Sequence, residues 1–144
     1  MRIGIASDHG GFRLKSDLLG MLRDRAGLEI EDLGTHSEAS TDYPDYAHRL
    51  ATLILQGELD RGILVCGTGI GMSIAANRHA GIRCVVCSDT YTAKLSREHN
   101  DTNILALGER VVGKGLAWDI VTAWLDAATD MDARHARRRE KIEI

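Results

Sequence analysis

Short apolar segments alternate with longer amphipathic segments along the chain, and this alternation restricts the possible folds more than any other feature. Short strands separated by helices are typical of βαβ units, in which the strands lie parallel. The sequence therefore predicts a doubly wound α/β layer with about five strands. The expected strands are residues 2–6, 29–33, 62–66, 82–87 and 103–107. The expected helices are residues 11–25, 46–56, 71–78, 90–98 and 114–127.

The size and charge of the chain argue against several classes of protein. A chain of 144 residues with 44% hydrophobic content fills one core, so we expect residues 1–144 to form one domain. A formal net charge of −3 lacks the basic excess of proteins that bind nucleic acid or anionic membranes. The first residues show no secretion signal, and no apolar run approaches the roughly 20 residues that cross a bilayer. We expect a soluble, cytoplasmic protein.

The cysteines and histidines indicate no metal or redox site. Cys84 and Cys87 have the C-x-x-C spacing of some zinc and redox sites. They fall in an apolar segment expected to be a strand, where side chains three residues apart point to opposite faces. Buried, reduced thiols explain them better, and three cysteines do not suit a disulfide framework. The six histidines show no spacing such as H-E-x-x-H, so we expect neither a metal nor a cofactor.

Polar residues directly follow the first predicted strand, at the end of an open parallel sheet where ligands bind. Asp8 and His9 are followed by Gly10 and Gly11 at the turn into a helix. Asp8 either lines a polar pocket or only caps the helix that follows. The sequence leaves both interpretations open.

A glycine-rich loop follows the third predicted strand, in the order Cys66-Gly67-Thr68-Gly69-Ile70-Gly71. Its GxGxG spacing matches neither the dinucleotide fingerprint nor the nucleotide phosphate loop, so no nucleotide cofactor is implied. The backbone N–H groups of such a loop can hold an oxyanion such as an enediolate. Cys66 stands at the entrance, where partial positive charge favours a thiolate that acts as a base. The alternative is a buried thiol that ends a core strand.

Polar residues also flank the fifth predicted strand. His99, just before it, can donate or accept a proton near neutral pH, and Asn100 can bond a sugar hydroxyl or an oxyanion. A histidine at a helix end and an asparagine in a turn are also common where there is no function. Arg110 follows the strand and is either a phosphate ligand or a surface charge.

Five stretches together resemble the ribose-5-phosphate isomerase B and galactose-6-phosphate isomerase family. They are SDHGG, TDYPDYA, GILVCGTGIGMSIAANRHAGIRCVVCSD, LSREHNDTNILALGERVVG and RHARR. The resemblance covers nearly the whole chain and implies a Rossmann-like three-layer α/β/α sandwich. It also implies a homodimer, or a tetramer, whose active sites are shared between subunits. The implied activity is cofactor-free aldose–ketose isomerisation of ribose 5-phosphate, or alternatively of a galactose, allose or tetrulose phosphate.

The resemblance also implies roles for single residues. Cys66 would transfer the proton between C1 and C2 through a cis-enediolate, and His99 would open the sugar ring. Thr68 would stabilise the anion together with the loop amides. The positions that match substrate-binding residues are Asp8, His9, Tyr43, Gly67, Gly69, Ile70, Gly71 and Asn100. The positions that match phosphate-binding arginines are Arg110, Arg134 and Arg138.

The basic tail, residues 129–144, has two interpretations. It is either a solvated surface helix or, as the resemblance implies, a helical segment that carries Arg134 and Arg138 into the partner's site. Arg137 leaves the choice of phosphate-binding arginine open. Two other classes are a non-catalytic sugar-phosphate-binding module and a flavodoxin-like or nucleotide-binding protein. The joint presence of Cys66, His99 and the arginines argues against the first, and the missing phosphate-loop lysine against the second.

Overall fold

The computed structural model describes residues 1–143, which form one parallel sheet with helices on both faces. The strands are β1 Arg2–Ser7, β2 Glu29–Asp32, β3 Arg61–Cys66, β4 Cys84–Val86 and β5 Ile104–Gly108. Their order across the sheet is β2-β1-β3-β5-β4. The chain therefore extends the sheet outward on both sides of β1 and β3, which is the doubly wound arrangement that the sequence predicts.

Helices cover both faces of this sheet. They are α1 Phe12–Arg23, α2 Tyr43–Leu55, α3 Ile70–Ala76, α4 Thr90–Asn100, α5 Lys114–Asp126 and α6 Ala133–Glu140. Side chains from α1, α4 and α5 build the core on one face, and α2 and α3 build it on the other. No helix within the described chain combines the length and the apolar character needed to cross a membrane.

The central strand β3 divides its side chains between the two cores. Ile63 and Val65 pack with α1 and α5, whereas Leu64 and Cys66 pack with α2 and α3. Successive side chains of a strand point to opposite faces, so a strand covered on both sides is apolar throughout. This confirms the predicted three-layer α/β/α sandwich.

Cys84 and Cys87 divide between the two cores in the same way, as predicted. Cys87 belongs to the core with α1 and α5, and Cys84 packs against the core with α2 and α3. Both thiols are free, and burial raises the pKa of each. Asn77 covers the outer edge of β4 beside them. Its carboxamide accepts a hydrogen bond from the Cys84 N–H and donates one to the Cys84 carbonyl, both at 2.8 Å.

Most predicted elements differ from the observed ones by one to three residues at an end, and two of these differences have a physical reason. Helix α2 begins at Tyr43 rather than at residue 46, so Pro44 lies in the first turn of this helix. Proline fits there because first-turn N–H groups have no partner within the helix. Strand β4 covers Cys84–Val86 rather than residues 82–87, because this edge strand has β5 as its one neighbour.

The tail forms the predicted helix, α6, which packs against α4 of the same chain. Asp132 caps its start, since the carboxylate accepts a hydrogen bond of 2.8 Å from the Arg134 N–H. The segment before it is tied to α4 by a 2.8 Å bond from the Asp130 N–H to the Glu98 carbonyl. In a single subunit the tail is therefore attached to the same helix that carries His99.

Candidate active site

The loops after β3 and β5 are joined at the carboxyl edge of the sheet. The Cys66 carbonyl accepts a hydrogen bond of 2.9 Å from the Glu109 N–H, and the Gly67 carbonyl accepts one of 3.1 Å from the Arg110 N–H. The Arg110 guanidinium also lies beside this loop, because a Cβ on Gly67 would be 3.5 Å from its Cζ. The glycine loop and the Arg110 guanidinium therefore lie side by side, as the sequence predicts for residues that follow neighbouring strands.

The sulfur of Cys66 points into the glycine loop. Its Sγ accepts a hydrogen bond of 3.1 Å from the Gly69 N–H, and the residue is 5% exposed. Gly69 has a φ of 80°, a left-handed conformation that glycine adopts without strain. Since α3 begins at Ile70, the sulfur accepts this bond from the residue that directly precedes the helix. The thiol is therefore buried at the end of a core strand, as the alternative interpretation of the sequence has it, and it also contacts the glycine loop through the Gly69 N–H.

Close packing holds this loop against β5. A Cβ on Gly108 would lie 2.7 Å from the Cα and the carbonyl carbon of Thr68, which leaves room for glycine alone. Thr68 is exposed, and its Oγ1 lies 3.4 Å from the Ile70 N–H. Thr68 therefore lies on the exposed side of the loop, where its hydroxyl is close to the Ile70 N–H.

Asp8, His9 and Tyr43 surround the same loop. Asp8 is 7% exposed, and its Oδ1 has no hydrogen-bond partner within the described chain. A Cβ on Gly10 would lie 3.3 Å both from this oxygen and from the Gly67 nitrogen, so the carboxylate borders the loop. A buried carboxylate oxygen without a donor is costly, so it is suited to accept a bond from a ligand hydroxyl. Asp8 makes no helix-capping bond, which argues against the capping interpretation.

His9 and Tyr43 are positioned by the segment that leads into α2. The His9 Nδ1 accepts a hydrogen bond of 3.2 Å from the Thr41 N–H, which leaves the Nε2 side of the exposed ring available. The Tyr43 ring packs on Gly71, where a Cβ would lie 2.7 Å from its Cζ and 3.1 Å from its hydroxyl. The carboxyl-edge cluster is therefore Asp8, His9, Tyr43, Cys66, Gly67, Thr68, Gly69, Ile70, Gly71 and Arg110.

His99 and Asn100 lie at the opposite, amino edge of the sheet. Helix α4 starts beyond the carboxyl end of β4 and returns the chain to the start of β5, so its last residues lie where the strands begin. The Asn103 carbonyl accepts a hydrogen bond of 2.9 Å from the Gly62 N–H at the start of β3. Strands of this length separate the two edges by on the order of 15 Å. In one subunit His99 does not reach Cys66.

The ring of His99 packs on the tail helix. It stacks on the His135 ring with centroids 4.2 Å apart and an interplanar angle of 11°. The Arg139 guanidinium donates a hydrogen bond of 3.3 Å to the His99 carbonyl, and the Asp130 carboxylate lies 3.7 Å from the His135 Nε2. Sequence reasoning missed His135 and Arg139. Their spacing of four residues, which places both on one face of a helix, was the available signal.

Arg134, Arg137 and Arg138 point in different directions from the face of α6 that packs on α4. His135 and Arg139 face α4, and Arg134, Arg137 and Arg138 are exposed. At about 100° per residue, Arg137 points almost directly away from the packed face, whereas Arg134 and Arg138 share one flank. The amino-edge cluster is therefore His99, Asn100, Arg134 and Arg138, with the last two arginines side by side.

A glycine loop at the carboxyl edge of a parallel sheet, with a thiol, a buried carboxylate that lacks a donor within the described residues, and a guanidinium around it, defines an α/β enzyme for a small anionic ligand. The Ribose/Galactose Isomerase family model matches residues 3–142. The chain belongs to this family, which confirms the resemblance seen in the sequence.

Relatives and solved structures agree with that assignment. Ribose-5-phosphate isomerase B of Escherichia coli strain K12 is 54% identical over 141 residues, which cover 98% of this chain and 93% of the relative. D-erythrulose-4-phosphate isomerase of Pectobacterium atrosepticum is 43% identical over 128 residues, covering 88% and 84%. The structure of Clostridium thermocellum ribose-5-phosphate isomerase B superposes with a TM-score of 0.95 at 56% identity, covering 99% of this chain and 95% of that one.

Proposed function

We propose that this isomerase interconverts ribose 5-phosphate and ribulose 5-phosphate through a cis-enediolate. The observation that carries the proposal is the Cys66 sulfur, bonded by the Gly69 N–H, in a loop bordered by the buried Asp8 carboxylate, whose Oδ1 has no partner within the described chain. The Escherichia coli relative at 54% identity is named ribose-5-phosphate isomerase B, which supports the proposal. The free thiols of the chain suit the cytoplasmic location that we propose with it.

The chemistry requires a base beside a sugar carbonyl and donors for the developing anion. The Cys66 thiolate removes the proton from C2 of the open-chain aldose, and the electron pair moves to O1 to give the enediolate. Thr68 and the loop amides stabilise that charge. The Cys66 thiol then returns the proton to C1 while O2 loses its proton and O1 gains one. The net change is a hydrogen shift within the sugar, so no electrons are exchanged with a second reactant.

We propose that a second copy of the chain completes the site. The amino-edge cluster holds His99 for ring opening and Arg134 and Arg138 for phosphate, but it lies across the sheet from Cys66. A symmetric dimer that sets the amino edge of one subunit against the carboxyl edge of the other would join both clusters, twice. Arg110 would then bind the phosphate from the Cys66 side.

An apolar surface near the carboxyl-edge cluster suits this association. Ile70 and Ile74 lie one turn apart on α3 and are 55% and 57% exposed. Val86 at the end of β4 is 38% exposed, and Tyr91 at the start of α4 is 71% exposed. Large apolar side chains clustered in this way are typical of interfaces between copies of a chain.

Mixed dimers test the shared site directly. Cys66→Ala and His99→Ala should each be inactive as homodimers, because each lacks one proton-transferring group. After both variants are unfolded and refolded together in equal amounts, heterodimers should contain one intact site, which gives roughly a quarter of wild-type turnover. Refolding each variant alone is the control. If the mixture stays inactive although heterodimers form, both groups act within one chain and the proposal is wrong. Full activity of Cys66→Ala would remove that thiol from the mechanism.

A second candidate substrate has specific support. The Pectobacterium atrosepticum relative, at 43% identity, carries the name of a tetrulose phosphate isomerase. The same proton transfer on a four-carbon or six-carbon sugar phosphate would need a pocket of a different length. Turnover should be measured on ribose, allose and galactose phosphates and on erythrulose phosphate, with and without a chelator. A kcat/KM that is highest for ribose 5-phosphate supports the proposal, and a clear preference for another sugar overturns it.

A further inference from the structure

Arg83, just before β4, binds the end of α4. Its Nε donates hydrogen bonds of 3.0 Å to the Asn100 carbonyl and 3.1 Å to the Asp101 carbonyl. Its Nη2 donates one of 3.1 Å to the Asp101 carboxylate. The side chain is 20% exposed, so these bonds are partly shielded from water. Arg83 therefore holds the turn that directly follows His99.

The same guanidinium also binds the end of the tail. Its Nη1 donates a hydrogen bond of 2.8 Å to Glu143 Oε1, and Glu143 Oε2 accepts one of 3.0 Å from the Gly81 N–H. The bond with Arg83, and then that with Gly81, lowers the pKa of the Glu143 carboxyl, so this group is charged at neutral pH. Glu143 thus fastens the chain beyond α6 to the segment that holds Asn100.

Helix α6 needs such fastening. It has eight residues, including four arginines, and a helix this short is not stable alone in water. The repulsion between its guanidinium groups adds to that cost. Its first half is held by Asp132, His135 and the bond from the Asp130 N–H to α4. Its far half is held by Arg139, which bonds the His99 carbonyl, and the chain just beyond it is held by Glu143. Arg138 lies nearer to that far end.

We infer that Arg83 and Glu143 form a latch that positions Arg134 and Arg138 for the phosphate of the substrate bound across the dimer. This inference rests on the proposed function. Arg83 and Glu143 are positioning residues, since they do not touch the substrate themselves. The latch also fixes the position of Asn100 relative to Arg134 and Arg138. The Arg83 guanidinium binds both the Asn100 carbonyl and Glu143, which lies just beyond the helix that carries the two arginines.

The test compares Glu143→Ala with Glu140→Ala, which removes an exposed carboxylate at the end of α6, outside the latch. Both variants remove one negative charge near the arginines, which by simple electrostatics would tighten phosphate binding. Loss of the latch should do the opposite. We expect Glu143→Ala to raise KM and to weaken the binding of inorganic phosphate, measured by calorimetry, by roughly three- to tenfold, with kcat nearly unchanged. Glu140→Ala should bind phosphate as tightly as the wild type or more tightly, and Glu143→Gln should recover part of the loss.

The two readouts separate this inference from the proposed function. Equal phosphate affinity and KM in Glu143→Ala and the wild type overturn the latch while the isomerase activity stands. A wild-type protein that turns over no sugar phosphate, but whose Glu143→Ala variant binds inorganic phosphate more weakly, overturns the isomerase activity while the latch stands. An equal weakening in Glu140→Ala shows a charge effect and overturns the latch.

Discussion

His99 and His135 stack ring on ring, with centroids 4.2 Å apart and planes within 11° of parallel. The first ring belongs to α4 and the second to the tail helix, so the tail determines how His99 faces its surroundings. His135 is 7% exposed and is held from the other side by Asp130. An aromatic partner restricts an imidazole ring without taking a proton from it.

Two replacements of His135 should therefore distinguish the effect of its ring surface, which stacks on His99, from the effect of its imidazole as a chargeable group. We expect His135→Ala to lower kcat by roughly two- to tenfold, because the His99 ring loses the surface that orients it. His135→Phe keeps the stack and should recover most of the turnover. Steady-state kinetics on both variants provide the measurement. A loss in His135→Phe as large as in His135→Ala would show that the imidazole itself, and not the ring surface, is required.

Gly108 should tolerate no side chain. The Cβ of Gly108→Ala would lie 2.7 Å from the Thr68 backbone, so the glycine loop must shift away from β5. We expect a loss of about 1–3 kcal/mol in the free energy of unfolding and a reduced kcat. Gly115→Ala is the matched control, since a Cβ there meets no atom within 4 Å and alanine favours the helix. Denaturant unfolding and turnover test both, and equal behaviour of the two variants contradicts the prediction.

The buried Lys15 ammonium depends on Asp32 for its charge partner. Lys15 is 1% exposed, and its Nζ lies 2.5 Å from Asp32 Oδ1. Asp32→Asn leaves this charge unpaired and should cost about 3–5 kcal/mol of stability. Adding Lys15→Met to Asp32→Asn should recover most of the loss. The measurement is the denaturant midpoint of the wild type, of Asp32→Asn and of the double variant. An Asp32→Asn variant as stable as the wild type would refute the prediction.

The same pair gives the fold a dependence on acid. Burial alone raises the pKa of Asp32, but the hydrogen bonds from Lys15 and the Gly34 N–H outweigh it, so the pKa lies below its usual value. The stability from Asp32 is thus complete above the ordinary carboxyl pKa of about 4 and is lost as the pH falls through the lower folded-state pKa. The difference in unfolding free energy between wild type and Asp32→Asn should shrink as the pH is lowered from about 7 to about 3. A constant difference contradicts this.

Ile74 offers a test of the dimer surface. Ile74→Asp places a charge on a side chain that is 57% exposed in one subunit, so the fold should survive while association fails. We expect a monomer by light scattering, with unchanged circular dichroism and little turnover. Leu116→Asp, at a side chain 43% exposed on α5, is the control and should stay associated and active. An active Ile74→Asp monomer would contradict the shared site.

The directions of the tail arginines predict unequal effects on substrate binding. Arg138→Ala should raise KM by roughly tenfold or more, because a charge-assisted bond to phosphate is lost. Arg137→Ala should leave KM nearly unchanged, since that side chain points away from the face of α6 that packs on α4. Initial-rate kinetics on the two variants measure the difference. A larger effect of Arg137→Ala reverses the assignment.

The local pattern of the sequence was sufficient for the architecture and for the carboxyl-edge cluster. Strands such as β3 are apolar throughout because both faces are covered, and residues that follow parallel strands must share one edge. This is why Asp8, Cys66 and Arg110 could be grouped before any coordinates. The start of α2 was missed because Pro44 is read more readily as a loop residue than as a first-turn residue.

The amino-edge contacts could not be predicted in the same way. The stacking of His135 on His99 joins residues 36 positions apart, and nothing in the pattern near either residue indicates the other. The partnership of Arg83 with Glu143 spans 60 positions and depends on how the tail returns to β4. Such contacts follow from tertiary packing, whereas helices and strands follow from the spacing of neighbours.

The carboxamide of Asn77 occupies the outward-facing N–H and carbonyl of Cys84, the groups through which another strand would extend the sheet. At this edge of the sheet, Cys84 is thereby closed to pairing with a strand of another copy, a common route to aggregation. The dimer that we propose therefore depends on side chains of the helices, where the fit between surfaces, and not the generic hydrogen bonding of backbones, selects the partner.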